Sequence, residues 1–177
     1  MYTELDILAW FFEDPTKGFY IREIARLTHL SPMTVRAYIS RFVKQGFLLS
    51  TDSGLYTTYL ADVQSLAYRH LKLYYNLEKL RKAKLISDLE DFYEYPTIVL
   101  FGSYAKARDV STSDIDIFVL SPVDKDFHVL AYEKVLRRKI SIHRFTDKEF
   151  QRMKVKNFEL VNNICNGIVI SGRLELL

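Results

Sequence analysis

The sequence predicts an α+β fold (mixed α/β), in which helices and strands occupy different parts of the chain. Residues 1–60 contain three helical patterns and a strand-rich end, and residues 61–95 contain no Gly or Pro. From Thr97 onward, strand patterns alternate with helical ones. We therefore predict a helical domain with a β-hairpin at 1–60, a helical connector at 61–95, and a mixed sheet with flanking helices at 96–177.

The composition is that of a folded globular protein. Of the 177 residues, 49% are apolar and 27% are charged, and the formal net charge is +3. No apolar run is long enough for a transmembrane helix, so we expect no membrane partner. Cys165 is the single cysteine, which excludes an internal disulfide and makes the reducing cytoplasm the expected location. Its apolar helical neighbours predict that Cys165 is buried.

The first helices are marked by apolar spacing and by their end signals. Apolar side chains recur at helical spacing from Glu4 to Glu13, and Asp14-Pro15 ends that pattern. A second helix fits Ile21–Leu27. Ser31-Pro32 then supplies a preferred N-cap and a preferred first helical residue for a third helix.

The third helix is predicted to have a buried face and a basic exposed face. Val35, Ile39 and Phe42 lie at helical spacing and should face inward. The stretch from Pro32 to Gly46 carries three basic residues and no acidic one. We expect its exposed side chains to contact DNA phosphates and base edges, and the residues concerned are Thr34, Arg36, Ser40, Arg41 and Lys44.

Two short strands follow this helix. Phe47–Ser50 and Leu55–Leu60 flank a turn at Asp52-Ser53-Gly54, which predicts a β-hairpin. The segment Tyr20–Leu60 resembles the winged helix-turn-helix domains of prokaryotic regulators, in which such a hairpin forms the wing. The resemblance implies binding to double-stranded DNA. The alternatives are a domain that docks another protein and a basic face that is simply solvated.

The connector carries a leucine repeat. Leu66, Leu73 and Leu80 recur every seven residues, which favours an amphipathic helix that either packs within one chain or pairs two chains. A homodimer would suit DNA binding, because paired half-sites require paired recognition helices.

The residues that carry chemistry lie after Pro96. A strand at Thr97–Phe101 ends at Gly102-Ser103, and Asp114-x-Asp116 follows after ten residues. Side chains alternate along a strand, so both carboxylates are predicted on one face. Such a pair needs a counter-charge, and Mg²⁺ or Mn²⁺ binds carboxylate and phosphate oxygens together. Gly102 permits close approach of a phosphate, and Ser103 offers a hydroxyl and an N–H at a helix start.

The run LFGSYAKARDVSTSDIDIFVL resembles the nucleotidyltransferase superfamily related to DNA polymerase beta, and most closely the minimal nucleotidyltransferases of archaea and bacteria. The resemblance implies that Ser103 holds a nucleotide phosphate and that Asp114 and Asp116 bind Mg²⁺. It implies transfer of a nucleoside monophosphate, AMP from ATP in the leading hypothesis, to a protein or small-molecule acceptor. This branch also resembles the antidote halves of toxin–antitoxin pairs, which implies a helical, toxin-like protein partner.

Two positions depart from the family pattern. The family often has Gly where Ala107 stands, and its third carboxylate has no counterpart on the candidate strand Lys139–Phe145. Ser141 and His143 occupy the same-face positions of that strand instead, and an imidazole can act as a base. The missing acid leaves an alternative open: a winged-helix transcriptional regulator whose nucleotidyltransferase domain binds nucleotide with weak or no catalysis.

Overall fold

A computed structural model of the chain describes residues 4–52, 54 and 56–175. The chain divides into two compact units, and the boundary falls between Tyr75 and Asn76. Helices and sheets are both present, which confirms the predicted α+β class. No helix in the described residues is long and apolar enough to cross a bilayer.

The first unit consists of helices followed by a hairpin. Its helices are α1 (Glu4–Glu13), α2 (Ile21–Thr28) and α3 (Pro32–Lys44), and its antiparallel strands are β1 (Leu48–Asp52) and β2 (Thr57–Ala61). The side chain of Ser31 caps α3 by accepting a hydrogen bond from the Thr34 backbone N–H at 3.1 Å. These elements lie close to their predicted positions, except that Leu55 and Ser53 of the predicted hairpin lie outside the described residues. The resemblance to a winged helix-turn-helix domain stays a prediction.

One apolar core holds these elements together. Val35, Ile39 and Phe42 of α3 are fully buried, as their spacing predicted, and they belong to the same cluster as Phe11 and Phe12 of α1. Burial of each such side chain contributes roughly 1.5–3 kcal/mol to stability. The opposite face of α3 is left exposed.

The helix α4 (Leu66–Lys82) begins in the first unit and ends in the second. Tyr68 is fully buried, and its hydroxyl donates a hydrogen bond to the Phe11 carbonyl at 2.8 Å. The Tyr75 hydroxyl donates to the Glu13 carboxylate at 2.7 Å. The first part of the segment predicted as a connector therefore packs into the first unit. Pairing of two chains through this segment stays a prediction.

The second unit contains a mixed sheet in the order β5-β4-β3-β6. The described strands are β3 (Thr97–Phe101), β4 (Ile115–Leu120), β5 (Ile140–Phe145) and β6 (Ile168–Ser171), and the helices after α4 are α5 (Leu85–Phe92), α6 (Gly102–Ala105), α7 (Leu130–Leu136), α8 (Asp147–Lys156) and α9 (Phe158–Cys165). The strand β3 pairs antiparallel with β4 and β6, whereas β4 and β5 are parallel.

Helices cover both faces of this sheet. Ile98 and Ile117 are fully buried on the face that packs with α5 and α7. Phe118 packs on the other face with Phe150 of α8 and with α9. Because side chains alternate along β4, Asp116 shares this second face with Phe118. The face therefore changes from apolar to acidic toward the start of β4.

The single cysteine is exposed, so the prediction of its burial is wrong. Cys165 is the last residue of α9, which buries Val161 and Ile164. Adjacent residues of a helix point in different directions, so Cys165 lies off the buried face although its sequence neighbours are apolar.

Candidate active site

The Gly102-Ser103 turn lies at the end of β3 and packs against Asp116. Gly102 has φ +72°, a conformation that residues with a side chain rarely adopt. A Cβ at Gly102 would overlap Asp116 Oδ2 and lie 3.2 Å from Asp116 Cγ. Glycine is therefore required here for its backbone conformation and for the space that the carboxylate occupies.

The Gly102-Ser103 turn forms the first half of a short helix, α6. This helix spans only Gly102–Ala105, so its dipole contributes little to the attraction of an anion. Ser103 is half-buried, and its carbonyl accepts hydrogen bonds from the backbone N–H groups of Lys106 at 3.2 Å and Arg108 at 3.0 Å. Any contact of this turn with a phosphate therefore depends on the Ser103 hydroxyl and local N–H groups.

The two aspartates lie at the start of β4. Asp116 is the second residue of the strand, and Asp114 lies one residue before the strand begins at Ile115. Asp114 is exposed and Asp116 is half-buried, while Ile115 is fully buried on the opposite face. The β3–β4 register pairs Phe101 with Asp116, which places the carboxylate beside the end of β3.

The electrostatics of Asp116 favour a cation at this position. Burial is the main cause that raises the pKa of Asp116 above its usual range; His143 lowers this pKa and the charge of Asp114 raises it. A partly desolvated carboxylate beside a second carboxylate is stabilised by positive charge. The pair therefore fits a hard divalent cation that completes its shell with water and phosphate oxygens. Within residues 4–52, 54 and 56–175, no group of three or more His, Cys, Asp or Glu side chains is arranged to hold a metal ion.

The strand β5 brings a hydroxyl and an imidazole to this pair. Its register with β4 places Ser141 beside Asp116. His143 lies on the same face, with its Nε2 atom 3.9 Å from Asp116 Oδ1 and its ring centroid 5.3 Å from that of Phe101. The position where the family's third acid was expected is thus occupied by these two side chains.

A cleft of about 600 Å³ adjoins Asp114. The loop residues Ser111–Ser113 and the exposed cations Lys134, Arg137 and Lys139 line it. This is positive charge of the kind that a triphosphate or an anionic acceptor requires. Lys134 was not predicted as a site residue, because it reaches the cleft only through the tertiary position of α7.

A buried charged pair holds the loop that precedes Asp114. The side chains of Asp109 and Arg138 are only 1% and 3% exposed, and Arg138 Nη2 lies 3.8 Å from Asp109 Oδ2. Asn76 of α4 donates to Asp109 at 2.9 Å, and Arg138 also donates to the Val110 carbonyl. These contacts tie the loop to α4 and to the start of β5.

The backbone conformation at Ala107 explains why the family often has glycine at this position. Ala107 has φ +51°, in the left-handed region that favours glycine, and its methyl group is buried. A non-glycine residue in this region costs roughly 1–2 kcal/mol. The glycine that the family often carries here would avoid that cost.

The five residues predicted to contact DNA are all exposed on α3, and they are Thr34, Arg36, Ser40, Arg41 and Lys44. The Thr34 hydroxyl lies 2.8 Å from the Ser31 hydroxyl at the helix cap. Arg41 forms an ion pair with Glu4 and lies 5.1 Å from the Tyr38 ring centroid. In the described part of the chain, Arg36 and Lys44 form no ion pair.

Residues 82–160 match the family model of the nucleotidyltransferase domain. The match includes the Gly102-Ser103 turn, both aspartates and β5. It supports a nucleotidyltransferase domain in this part of the chain and, in general terms, a nucleotidyl-transfer function; enzymes of this family typically use a divalent metal ion and a nucleoside triphosphate. No curated protein matches the chain.

Proposed function

We propose that the second unit transfers a nucleoside monophosphate to a hydroxyl group of a protein or small-molecule acceptor. In the leading hypothesis, the group transferred is AMP and the donor is ATP. The observation that carries the proposal is the packing of the Gly102-Ser103 turn against Asp116, with Asp114 beside it. The family match over the same residues supports it.

The residues of this site have distinct parts in the proposed reaction. Asp114 and Asp116 would hold Mg²⁺ or Mn²⁺, which when bound neutralises the triphosphate and aligns its α-phosphate for attack. Ser103 would bind a phosphate oxygen. The acceptor oxygen forms a bond to the α-phosphorus as the bond from that phosphorus to the β-bridging oxygen breaks, and pyrophosphate leaves with the bonding electrons. The acceptor proton passes to a base, for which His143 is a candidate.

Label transfer tests this proposal. The full chain is incubated with ATP, CTP, GTP or UTP labelled in the α-phosphate, with Mg²⁺ or Mn²⁺, and with or without cell lysate. We expect label on an acceptor from ATP, and we expect that label to fall by more than about 100-fold in Asp114→Asn and in Asp116→Asn. The reason is that mutating even the outer-shell partners of metal ligands lowers metal affinity or activity by about 10–100-fold. The exposed Asp91→Asn is the matched control in the same unit. Transfer that persists in both site variants would contradict the proposal.

The same experiment separates the classes of acceptor. Label on a helical, toxin-like protein partner would be retained on a filter and removed by protease. Label on a small molecule would pass through the filter and resist protease.

The alternative is a regulator whose second unit binds nucleotide without transferring it. The observation that favours it is the absence of an acid on β5, where Ser141 and His143 face Asp116 instead. This alternative predicts Mg²⁺-dependent ATP binding that weakens in Asp116→Asn, with no labelled acceptor under any condition.

We also propose that the first unit binds double-stranded DNA through α3, as a winged helix-turn-helix domain does. Support comes from the exposure of all five predicted contacts and from Arg36 and Lys44, which form no ion pair with any residue that the structure describes. We expect duplex binding that weakens steeply with salt and a shallower salt dependence in Arg36→Ala/Arg41→Ala. Arg36→Ala alone should weaken duplex binding more than Arg41→Ala alone, because Glu4 offsets the charge of Arg41.

A charge-matched control is available in the other unit. Lys148→Ala/Lys156→Ala removes two exposed cations of α8 and should leave duplex binding unchanged. Absence of salt-dependent duplex binding by the unmodified chain would instead favour docking of a protein by the first unit. A homodimer, if formed, would show two chains per duplex in analytical ultracentrifugation.

A further inference from the structure

The first unit contains a concave surface of about 800 Å³ between α2, the start of α3 and β2. We call it the arginine cleft, and the residues that define it are Tyr20, Arg22, Arg26, Arg36, Tyr56 and Tyr59. Arg36 is one of the predicted DNA contacts. The two arginines of α2 are not among the predicted contacts, because only the folded unit brings them beside Arg36.

Among the described residues, the side chains that line the arginine cleft include three arginines and one carboxylate. Arg22, Arg26 and Arg36 form no ion pair with any other described residue. One carboxylate, that of Glu23, also lines the cleft, but Lys17 Nζ binds it at 2.8 Å. The three guanidinium groups are therefore available to an anion.

The walls of this cleft are fixed to each other. The backbones of Phe19 and Tyr59 exchange two hydrogen bonds, at 2.8 and 2.9 Å, which tie the start of α2 to β2. The rings of Tyr20 and Tyr56 contact each other edge to face, with centroids 6.0 Å apart. The backbone segments on the two sides of the cleft are therefore held together by the fold before a ligand binds.

The arrangement of the arginines favours an extended ligand. Arg22 and Arg26 are four residues apart and so lie on the same exposed side of α2, while Ile24 and Ala25 face the core. All three arginines are exposed residues, whereas a site for one small anion would enclose its cations. A row of exposed guanidinium groups matches a row of phosphates, each of which can accept two hydrogen bonds from one arginine.

We propose that the arginine cleft binds the phosphodiester backbone of duplex DNA, with Arg22 and Arg26 as phosphate contacts in addition to Arg36. This inference rests on the proposed DNA-binding function of the first unit and extends it from α3 to α2. The Tyr56 and Tyr59 side chains of the hairpin line the opposite wall of the cleft.

The test compares full-length variants on a short mixed-sequence DNA duplex and on one of its single strands, over a range of salt concentrations. Because each phosphate contact contributes about 0.9 to the slope of log K against log salt, Arg22→Ala/Arg26→Ala should reduce that slope by about 1–2. Arg22→Lys/Arg26→Lys keeps the charges and should retain most of the slope. Lys148→Ala/Lys156→Ala should leave the slope unchanged, and circular dichroism confirms that each variant is folded.

The outcomes distinguish this inference from the proposal on which it rests. If the unmodified chain binds duplex DNA but Arg22→Ala/Arg26→Ala has the slope of the control, the cleft assignment is overturned and α3 alone carries binding. If the unmodified chain shows no salt-dependent duplex binding, both proposals fall. Tighter binding to the single strand than to the duplex would also overturn the assignment, since it would indicate base stacking on the tyrosines.

Discussion

Asp116 lies between the Gly102 turn, the charge of Asp114 and the imidazole of His143. Its raised pKa shows that the folded chain makes the ionised carboxylate less favourable than it is in water. Perturbed acids of this kind concentrate at functional sites, where a bound ion or substrate supplies the missing counter-charge. The Asp116 carboxylate also fills the space that a side chain at position 102 would need.

Gly102→Ala should therefore damage the site and not only the backbone. Gly54→Ala is the matched control, because Gly54 also has a positive φ but nothing lies within 4 Å of a Cβ there. Both substitutions incur the left-handed penalty of roughly 1–2 kcal/mol, whereas only Gly102→Ala displaces the Asp116 carboxylate. We expect label transfer to fall at least about 10-fold in Gly102→Ala, as it does when residues that position metal ligands are mutated. Label transfer should be retained in Gly54→Ala. Equal activities of the two variants would contradict the assigned role of the turn.

The loop that connects α6 to β4 depends on the buried pair of Asp109 and Arg138. Asp109→Ala leaves the Arg138 guanidinium buried without its carboxylate, so we expect the free energy of unfolding to fall by about 3–5 kcal/mol. Replacing both groups in Asp109→Leu/Arg138→Met should cost less than Asp109→Ala alone, because no unpaired charge remains. Urea unfolding of the full chain measures both changes. A loss below about 1 kcal/mol in Asp109→Ala would show that the pair is not what secures the loop.

At the scale of elements, α5 and α7 are joined by a hydrogen bond with a defined pH dependence. The Tyr132 hydroxyl of α7 donates to Asp88 of α5 at 2.6 Å, which raises the pKa of Tyr132 to about 12. Only the neutral phenol donates. The stabilisation is therefore complete below the pKa of an unfolded tyrosine, about 10, and is lost as the pH rises through about 12.

Tyr132→Phe removes this bond and its pH dependence. We expect the free energy of unfolding to fall by about 1 kcal/mol at neutral pH, the usual net value of a partly exposed hydrogen bond. The difference between variant and unmodified chain should disappear as the pH rises from about 10 to about 12. Tyr95→Phe, at a highly exposed tyrosine of the same unit, is the control. A constant difference across that range would show that Asp88 does not set the titration of Tyr132.

Local signals in the sequence predicted most of the elements correctly. Ser31-Pro32 starts α3, Gly46 follows its end with φ +72°, and the alternation around Asp116 gives the correct faces of β4. These features depend on residues a few positions apart, which is why periodicity and capping rules detect them.

Features that depend on distant residues could not be predicted. The position of β6 beside β3 follows from a pairing over some seventy residues, which no local pattern encodes. The burial of Arg138 could not be predicted either, because a basic residue between two other basic residues in sequence is normally exposed. The arginine cleft is not encoded in any local pattern either, because α2 and α3 bring Arg22, Arg26 and Arg36 together only in the folded unit.

At the scale of the whole molecule, the two compact units support two separate proposals. The family match covers only residues of the second unit, so nucleotidyl transfer is the better supported of the two. The proposal that the first unit binds DNA rests on the exposed basic residues of α2 and α3.

The most direct test of the central claim is the fate of each phosphate of ATP. Parallel reactions of the full chain with ATP labelled in the α-phosphate and ATP labelled in the γ-phosphate, in the presence of Mg²⁺ and lysate, distinguish nucleotidyl transfer from phosphoryl transfer and from binding alone. If the site acts as proposed, the α-label appears on the acceptor, the γ-label is released in pyrophosphate, and both signals vanish in Asp116→Asn. Transfer of the γ-label to the acceptor, or release of label that Asp116→Asn does not reduce, would contradict the claim.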